Sequence, residues 1–285
     1  MKLAGKRAVV TGASLGLGLS IARSFAVQGA NVLMCARGVA DLERASEEIR
    51  KVAVGKVIAM QADISREAGV SNLVGAAMER MGGTDILVCN AGVYGPKGAL
   101  DELDWDEWVR ALQINLLGTV LCCRLFLPLV KQSSRGKIIL LSGGGATKPL
   151  PFLSAYAASK AAVVRFAETL AEELRADGID VNSIAPGALN TRLLDEVIEA
   201  GPEKVGKAFH EAAVQQRESG GTPLEAGAEL SVFLAGDESN GITGKLISAV
   251  WDPWREFGEH RDDLRNTDTY TLRRVVPKDR GLAWG

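Results

Sequence analysis

Cysteine and histidine are scarce in this 285-residue chain, with four of the first (Cys35, Cys89, Cys122, Cys123) and two of the second (His210, His260). The cysteines show no C-x-x-C spacing and sit inside apolar segments, where a free thiol behaves as a small hydrophobe. A disulfide framework and a zinc site are therefore not expected, and the setting implied is reducing and cytoplasmic. Charge of one sign is lacking too. Lys and Arg number 33 against 35 Asp and Glu, for a net charge of −2, so the chain has no basic excess with which to track phosphates. No nucleic-acid partner is expected. The longest apolar run, 114–130, is interrupted by Asn115 and Arg124 and falls short of the roughly 20 residues a membrane-spanning helix needs. No membrane span is expected. Lys2, Lys6 and Arg7 followed by Ala8-Val9-Val10 mimic a secretory leader, but Thr11-Gly12, Ser14, Gly16 and Gly18 break the apolar stretch at once.

What is present is 47% apolar and 24% charged, the composition of a protein that buries one sizeable core. Short β-branched runs alternate with helical patterns, which is the sequence form of a parallel sheet with helices on both faces. Strands are expected at 7–10, 31–35, 56–61, 86–89, 137–141, 180–184 and 245–249, seven in all. Apolar residues recur at helical spacing over 15–28, 40–52, 66–81, 105–132, 155–176 and 223–235. Pro128 predicts a kink or an early stop in the fourth of these. No repeat or linker divides the chain, so one α/β domain over 1–250 is expected. Residues 188–222 follow a strand with a polar helical pattern broken at Gly201-Pro202, which suits a cover over a site. The extension 251–285 holds Trp251, Trp254 and Trp284, and its first part is expected to pack on the body or on a neighbouring subunit.

Gly12-Ala13-Ser14-Leu15-Gly16-Leu17-Gly18 follows the first strand and opens the first helix. Glycines there permit a tight turn and let a pyrophosphate reach backbone N–H groups at the positive end of a helix. A second chemical signal is Tyr156 four residues before Lys160, which puts both on one helix face. A phenol has an ordinary pKa near 10, and an ammonium beside it would stabilise the phenolate and lower that value. Such a pair can move a proton to or from an alcohol oxygen.

Taken with Asn90-Ala91-Gly92, Asn115, Tyr156-Ala157-Ala158-Ser159-Lys160 and Pro186-Gly187, the spacing Gly12-x-x-x-Gly16-x-Gly18 resembles the short-chain dehydrogenase/reductase family. The motifs fall in the family's order across roughly residues 5–250. The resemblance implies a single Rossmann-type doubly wound domain with a seven-stranded parallel sheet, assembled as a homotetramer or homodimer. It further implies an NAD(P)-dependent oxidoreductase that interconverts a secondary alcohol and a ketone. Tyr156 would be the general acid/base, Lys160 its partner and the holder of the nicotinamide ribose, and Asn115 the support of a water-linked proton relay. Read by itself, a buried Asn115 could equally satisfy local backbone groups.

One departure stands out. The family's serine lies thirteen residues before the tyrosine, and here that position is Gly143, while Ser142 is fourteen before it. Ser142 is the favoured replacement, with Thr147, Ser154 or a backbone N–H as alternatives. Gly143-Gly144-Gly145 would leave backbone open to a bulky or polar substrate.

The cofactor is expected to be NADP, with NAD as the alternative. The second strand ends Cys35-Ala36-Arg37, lacking the acid that would hold a ribose diol and offering an arginine to a 2′-phosphate. The resemblance also assigns Asp63 and Ile64 to the adenine, Asn90, Ala91 and Gly92 to the adenosine ribose, and Pro186, Gly187 and Thr191 to the carboxamide. The partner is a small-molecule alcohol or ketone, with a sugar or polyol derivative and a 3-oxoacyl compound as the substrates in view. A different reading keeps the nucleotide site and drops turnover, leaving a sensor or scaffold.

Overall fold

Seven parallel strands pair in the order β3-β2-β1-β4-β5-β6-β7. They are β1 (Arg7–Thr11), β2 (Asn31–Ala36), β3 (Val57–Gln61), β4 (Ile86–Cys89), β5 (Lys137–Leu141), β6 (Asp180–Ala185) and β7 (Leu246–Ser248). The computed structural model describes residues 1–284. Alternation along each strand feeds two cores, as a parallel sheet buried on both faces requires. Val10, Met34, Val88 and Ile139 pack on one face, while Val9, Leu33, Leu87 and Ile138 pack on the other.

The first face is covered by α1 (Gly16–Val27), α2 (Val39–Arg50) and α10 (Leu224–Ala235). The second carries α3 (Glu67–Met81), α5 (Gly118–Val130) and α6 (Ser154–Glu173), with α4 (Trp105–Leu112) packed on α6. Local signals explain the ends: α4 starts where Asp104 accepts from the Glu107 N–H at 2.8 Å, and α3 stops at Gly82, whose φ of 76° only glycine adopts readily. Between β6 and α10 lie α7 (Arg192–Ala200), α8 (Pro202–Val205) and α9 (Lys207–Ser219), broken as expected at Gly201-Pro202. Leu194, Val197, Val205 and Ala213 give this segment a small core of its own.

One expectation needs correction. The run 105–132 is two helices joined by a π-helical turn, Gln113–Leu117, in which the Gly118 N–H reaches back to the Gln113 carbonyl. The π turn inserts one residue where Asn115 bonds outward and Gly118 lies against Ile64, contacts that an unbroken α-helix would misalign. The second helix, α5, stops at Val130, two residues past Pro128 and short of the expected 132, which is the early stop that the proline predicts. The whole Trp105–Val130 run is long and apolar enough to cross a membrane, yet half of its most apolar window is buried inside the fold.

Beyond β7 a 3₁₀ turn, Trp254–Glu256, and α11 (Arg261–Asn266) fold back on the body. Trp254 is buried against Phe233 of α10, with ring centroids 5.5 Å apart. The Leu246 N–H donates to the Tyr270 carbonyl at 2.8 Å, so the extension covers part of the β7 edge. Trp251 and Trp284 are exposed, so Trp254 is the tryptophan that anchors this segment.

Candidate active site

The sheet order reverses between β1 and β4, and there a crevice opens at the carboxyl ends of the strands. Thr11 joins its two walls: its hydroxyl accepts from the N–H groups of Asn90 at 3.0 Å and Ala91 at 3.2 Å. The Asn90 side-chain amide returns two bonds, to the Thr11 and Gly12 carbonyls, each 3.0 Å. Gly12 has a φ of 64°, and a β-carbon there would stand 2.7 Å from the Ala91 Cα. At Gly18 a β-carbon would overlap the Gly12 carbonyl and the Asn90 amide, so only glycine lets α1 pack this close to the turn.

Helix α1 begins without a side-chain cap. Leu15 occupies the capping position, exposed, and the first turn carries no acid, so the helix N–H groups face the crevice uncompensated. Ser14 and Gly16 lie beside it, and a β-carbon on Gly16 would reach Thr191 Cγ2 at 3.3 Å, which brings the start of α7 to the same mouth. Pro186 and the Leu17 side chain both pack on Gly227 of α10, while Gly187 packs against Thr222 and Val250. The Ile64 side chain is buried against Gly118. Leu17 and Ile64 can therefore offer a ligand backbone only.

Arg37 is exposed at the end of β2 and forms no ion pair among the described residues. Burial pushes the Asp63 carboxyl up, but bonds from Ser65 and the charges of Arg37 and Arg66 outweigh it and hold the group below its usual range. These features suit an extended, doubly anionic ligand: a glycine turn that side chains would block, a free helix N-terminus and an unpaired arginine.

Across the crevice, α6 presents Tyr156 and Lys160 side by side, the ammonium 5.7 Å from the phenol ring centre. Lys160 is fully enclosed and donates to the Leu141 carbonyl at 2.8 Å, and burial lowers its pKa to about 8. Tyr156 is also buried, and burial, with a smaller contribution from Tyr94, raises its pKa well above the ordinary phenol value. The neighbouring ammonium does not lower it, contrary to expectation. Desolvation wins here, because the lysine spends its short bond on a carbonyl rather than on the phenol.

Asn115 is bound on every side. Its amide donates to the Val93 carbonyl at 2.8 Å and the Ser159 hydroxyl at 2.9 Å, and its Oδ1 accepts from the Val93 N–H at 2.8 Å. It thus clamps the loop after β4 to α6. A β-carbon on Gly92 would lie 3.2 Å from that Oδ1 and 3.5 Å from the Lys160 ammonium, so the missing side chain leaves both facing one spot.

A β-carbon on Gly143 would overlap the Tyr156 hydroxyl and stand 3.1 Å from its Cζ, so the phenol fills the place of a side chain thirteen residues before it. Ser142 is buried and its hydroxyl has no hydrogen-bond partner. Ser154 is engaged, accepting from Trp108 Nε1 at 3.0 Å, and Thr147 is exposed. Sequence reasoning missed Ser159, although it lies within the Tyr156–Lys160 stretch, and missed Tyr94, whose ring packs edge-on against Tyr156 with centroids 4.6 Å apart. Two places past Asn90-Ala91-Gly92, Tyr94 carries no pattern that would have flagged it.

Comparison with known proteins shows the family. Residues 6–201 match the family model described as short chain dehydrogenase. The chain is 39% identical over 248 residues to 3beta-hydroxysteroid dehydrogenase 1 of Eggerthella lenta, covering 86% of this chain and 92% of that protein. It is 34% identical over 257 residues to D-beta-hydroxybutyrate dehydrogenase of Cupriavidus necator, covering 88% and 96%. Among solved structures, NAD+-bound xylitol dehydrogenase superposes with a TM-score of 0.80 at 25% identity, covering 87% of this chain and 98% of that one.

Proposed function

Because the chain belongs to the short-chain dehydrogenase/reductase family, NAD(P)-dependent oxidoreductases that act on CH–OH groups, we propose that it prefers NADP(H) and uses Tyr156 as the general acid/base of alcohol/ketone interconversion. The observation that carries the cofactor choice is Arg37, exposed and unpaired among the described residues at the end of a strand that closes on Ala36 rather than an acid. When bound, the nicotinamide supplies or accepts the hydride at the substrate carbon. Gly12, Ser14, Gly16, Gly18 and the free N–H groups from Leu15 onward would cradle the pyrophosphate. Asp63, Asn90, Ala91 and Gly92 would line the adenosine side, and Pro186, Gly187 and Thr191 the carboxamide side.

The chain's own residues handle the substrate oxygen. A phenol held protonated by burial is ready to donate to a ketone oxygen at neutral pH, and it accepts a proton in the reverse direction as pH rises. Lys160 would hold the ribose next to Tyr156 and exchange its proton through the opening at Gly92. Asn115 fixes the two walls between which this exchange runs. Ser142 would polarise the carbonyl, since a substrate oxygen brought to the end of β5 would satisfy its orphaned hydroxyl.

For the substrate, a cleft of about 390 Å³ adjoins the Tyr94 loop; Lys97, Glu107 and Lys204 line it together with the apolar Pro96, Leu103 and Ala200, and Tyr156 lies outside its lining. Its charged groups suit a hydroxylated molecule such as a sugar or polyol derivative, and its apolar wall leaves room for a carbon skeleton. A 3-oxoacyl compound and the hydroxy acid and hydroxysteroid classes named for the relatives complete the screen.

Fluorescence titration with NADPH and NADH tests the cofactor proposal without a substrate. Tighter NADPH binding that Arg37→Ala abolishes is expected; equal or tighter NADH would overturn the preference. Tyr156→Phe is expected to keep NADPH binding and lose turnover by about 10²- to 10⁴-fold, and unchanged turnover would sink the assigned role.

A further inference from the structure

The Tyr156 phenol is held at two places. Its hydroxyl end rests on the Gly143 backbone, where no side chain bounds it, and its ring meets the ring of Tyr94 at an interplanar angle of 67°. Tyr94 also packs against the Leu194, Val197, Val205 and Ala213 cluster of α7–α9. Lys97 stands over the same ring, 5.7 Å from its centre, and its ammonium lies 3.4 Å from Glu196 on α7. Lys97 is 13% exposed and Glu196 32%, so this pair is more sheltered than most surface ion pairs.

We propose that Tyr94 is a positioning residue: its ring braces the Tyr156 phenol against Gly143 and couples it to the α7–α9 segment through the Lys97–Glu196 pair. This rests on the reading of Tyr156 as the acid/base. Physically, the glycine at 143 leaves only backbone against the hydroxyl end of the phenol, and an edge-on aromatic neighbour orients the ring. Among the described residues the Tyr94 hydroxyl makes no hydrogen bond, which assigns the work to the ring.

Three tyrosines make the idea directly readable. Protein labelled with meta-fluorotyrosine should give three fluorine resonances, assigned by Tyr94→Phe, Tyr156→Phe and Tyr270→Phe. In Tyr94→Phe the Tyr156 resonance is expected to stay in place, and in Tyr94→Leu to shift and broaden. Glu196→Gln should move it in the same direction by less. With NADPH and isatin as the probe ketone, Tyr94→Leu should lower kcat about tenfold, the size of a typical aromatic pair, while Tyr94→Phe keeps the wild-type value and KM for NADPH is unchanged in both. An unmoved Tyr156 resonance in a folded Tyr94→Leu protein would overturn the proposal. So would a Phe variant as impaired as the Leu variant, since the hydroxyl would then be the active part. If the resonance moves but Tyr156→Phe reduces the ketone as fast as the wild type, the contact between the rings stands and the reading of Tyr156 as acid/base fails instead.

Discussion

The Lys160 ammonium donates to the Leu141 carbonyl at 2.8 Å and makes no other hydrogen bond among the described residues. One neutral acceptor is a poor exchange for water around a fully enclosed charge, and the lowered pKa of about 8 expresses that cost.

Replacing Lys160 by Met should therefore stabilise the cofactor-free protein while abolishing turnover. A fall from 10.5 to about 8 corresponds to roughly 3 kcal/mol of differential cost, part of which is returned when the Leu141 carbonyl loses its donor. The pH dependence carries the sign. The unfolded chain binds this proton up to 10.5 and the folded chain only to about 8, so wild-type stability rises with pH across that window. The advantage of Lys160→Met should be full below pH 8 and shrink above it. Thermal melts from pH 6 to 10 would show a midpoint higher by a few degrees at neutral pH and a closing gap in base. A lower midpoint at pH 7, or a gap independent of pH, would refute the account.

Ser142→Ala separates a hydroxyl that polarises the carbonyl from one left over by packing. The hydroxyl has no partner, so its removal should leave stability unchanged or slightly improved. If it serves the substrate oxygen, kcat should fall about 10²- to 10³-fold with NADPH binding intact. A variant that keeps its kcat would pass the role to the backbone N–H groups of residues 143–145.

How much could be read in advance depended on how local the cause was. Strands such as β4 and β5 match their expected bounds because parallel strands buried on both faces are near-continuous apolar runs. The glycine turn was legible because Gly12 and Gly18 exclude side chains at fixed spacing. The π turn at Asn115 was not, since Gln113–Leu117 reads as ordinary helix and only the bonds to Val93 and Ser159 distort it. Arithmetic on the tyrosine exposed the glycine at 143, but the overlap with the Tyr156 hydroxyl needed coordinates. The tryptophan-rich tail signalled a packed segment without saying that Trp254 alone of its three tryptophans is buried.

Two glycines on opposite sides of the crevice should respond differently to one added methyl group. At Gly18 the new carbon would overlap the Gly12 carbonyl, so Gly18→Ala should cost about 1–3 kcal/mol and weaken NADPH binding together. At Gly144 nothing lies within 4 Å, so Gly144→Ala should change stability by less than about 0.5 kcal/mol. Urea unfolding and cofactor titration on both variants would check the contrast, and equal stability of the two would mean that α1 yields at the turn.

The extension beyond β7 supplies the last contrast. Trp254 is buried to 5%, packs on Phe233 and donates through Nε1 to the Ala249 carbonyl at 3.3 Å, whereas Trp251 is 83% exposed. Truncating a buried indole typically costs about 3–5 kcal/mol, so Trp254→Ala should lower the unfolding midpoint by many degrees, and Trp251→Ala by almost nothing. The loss would not stop at the indole. Phe257 and Tyr270, centroids 5.1 Å apart, stand between this anchor and the Tyr270 carbonyl that accepts from Leu246 on the β7 edge. Releasing the anchor should therefore raise hydrogen exchange at the Leu246 amide while leaving β1 and β4 protected. Unchanged protection at Leu246 would mean that the contacts of Leu272 with Arg165 and Glu168 hold the extension without the tryptophan.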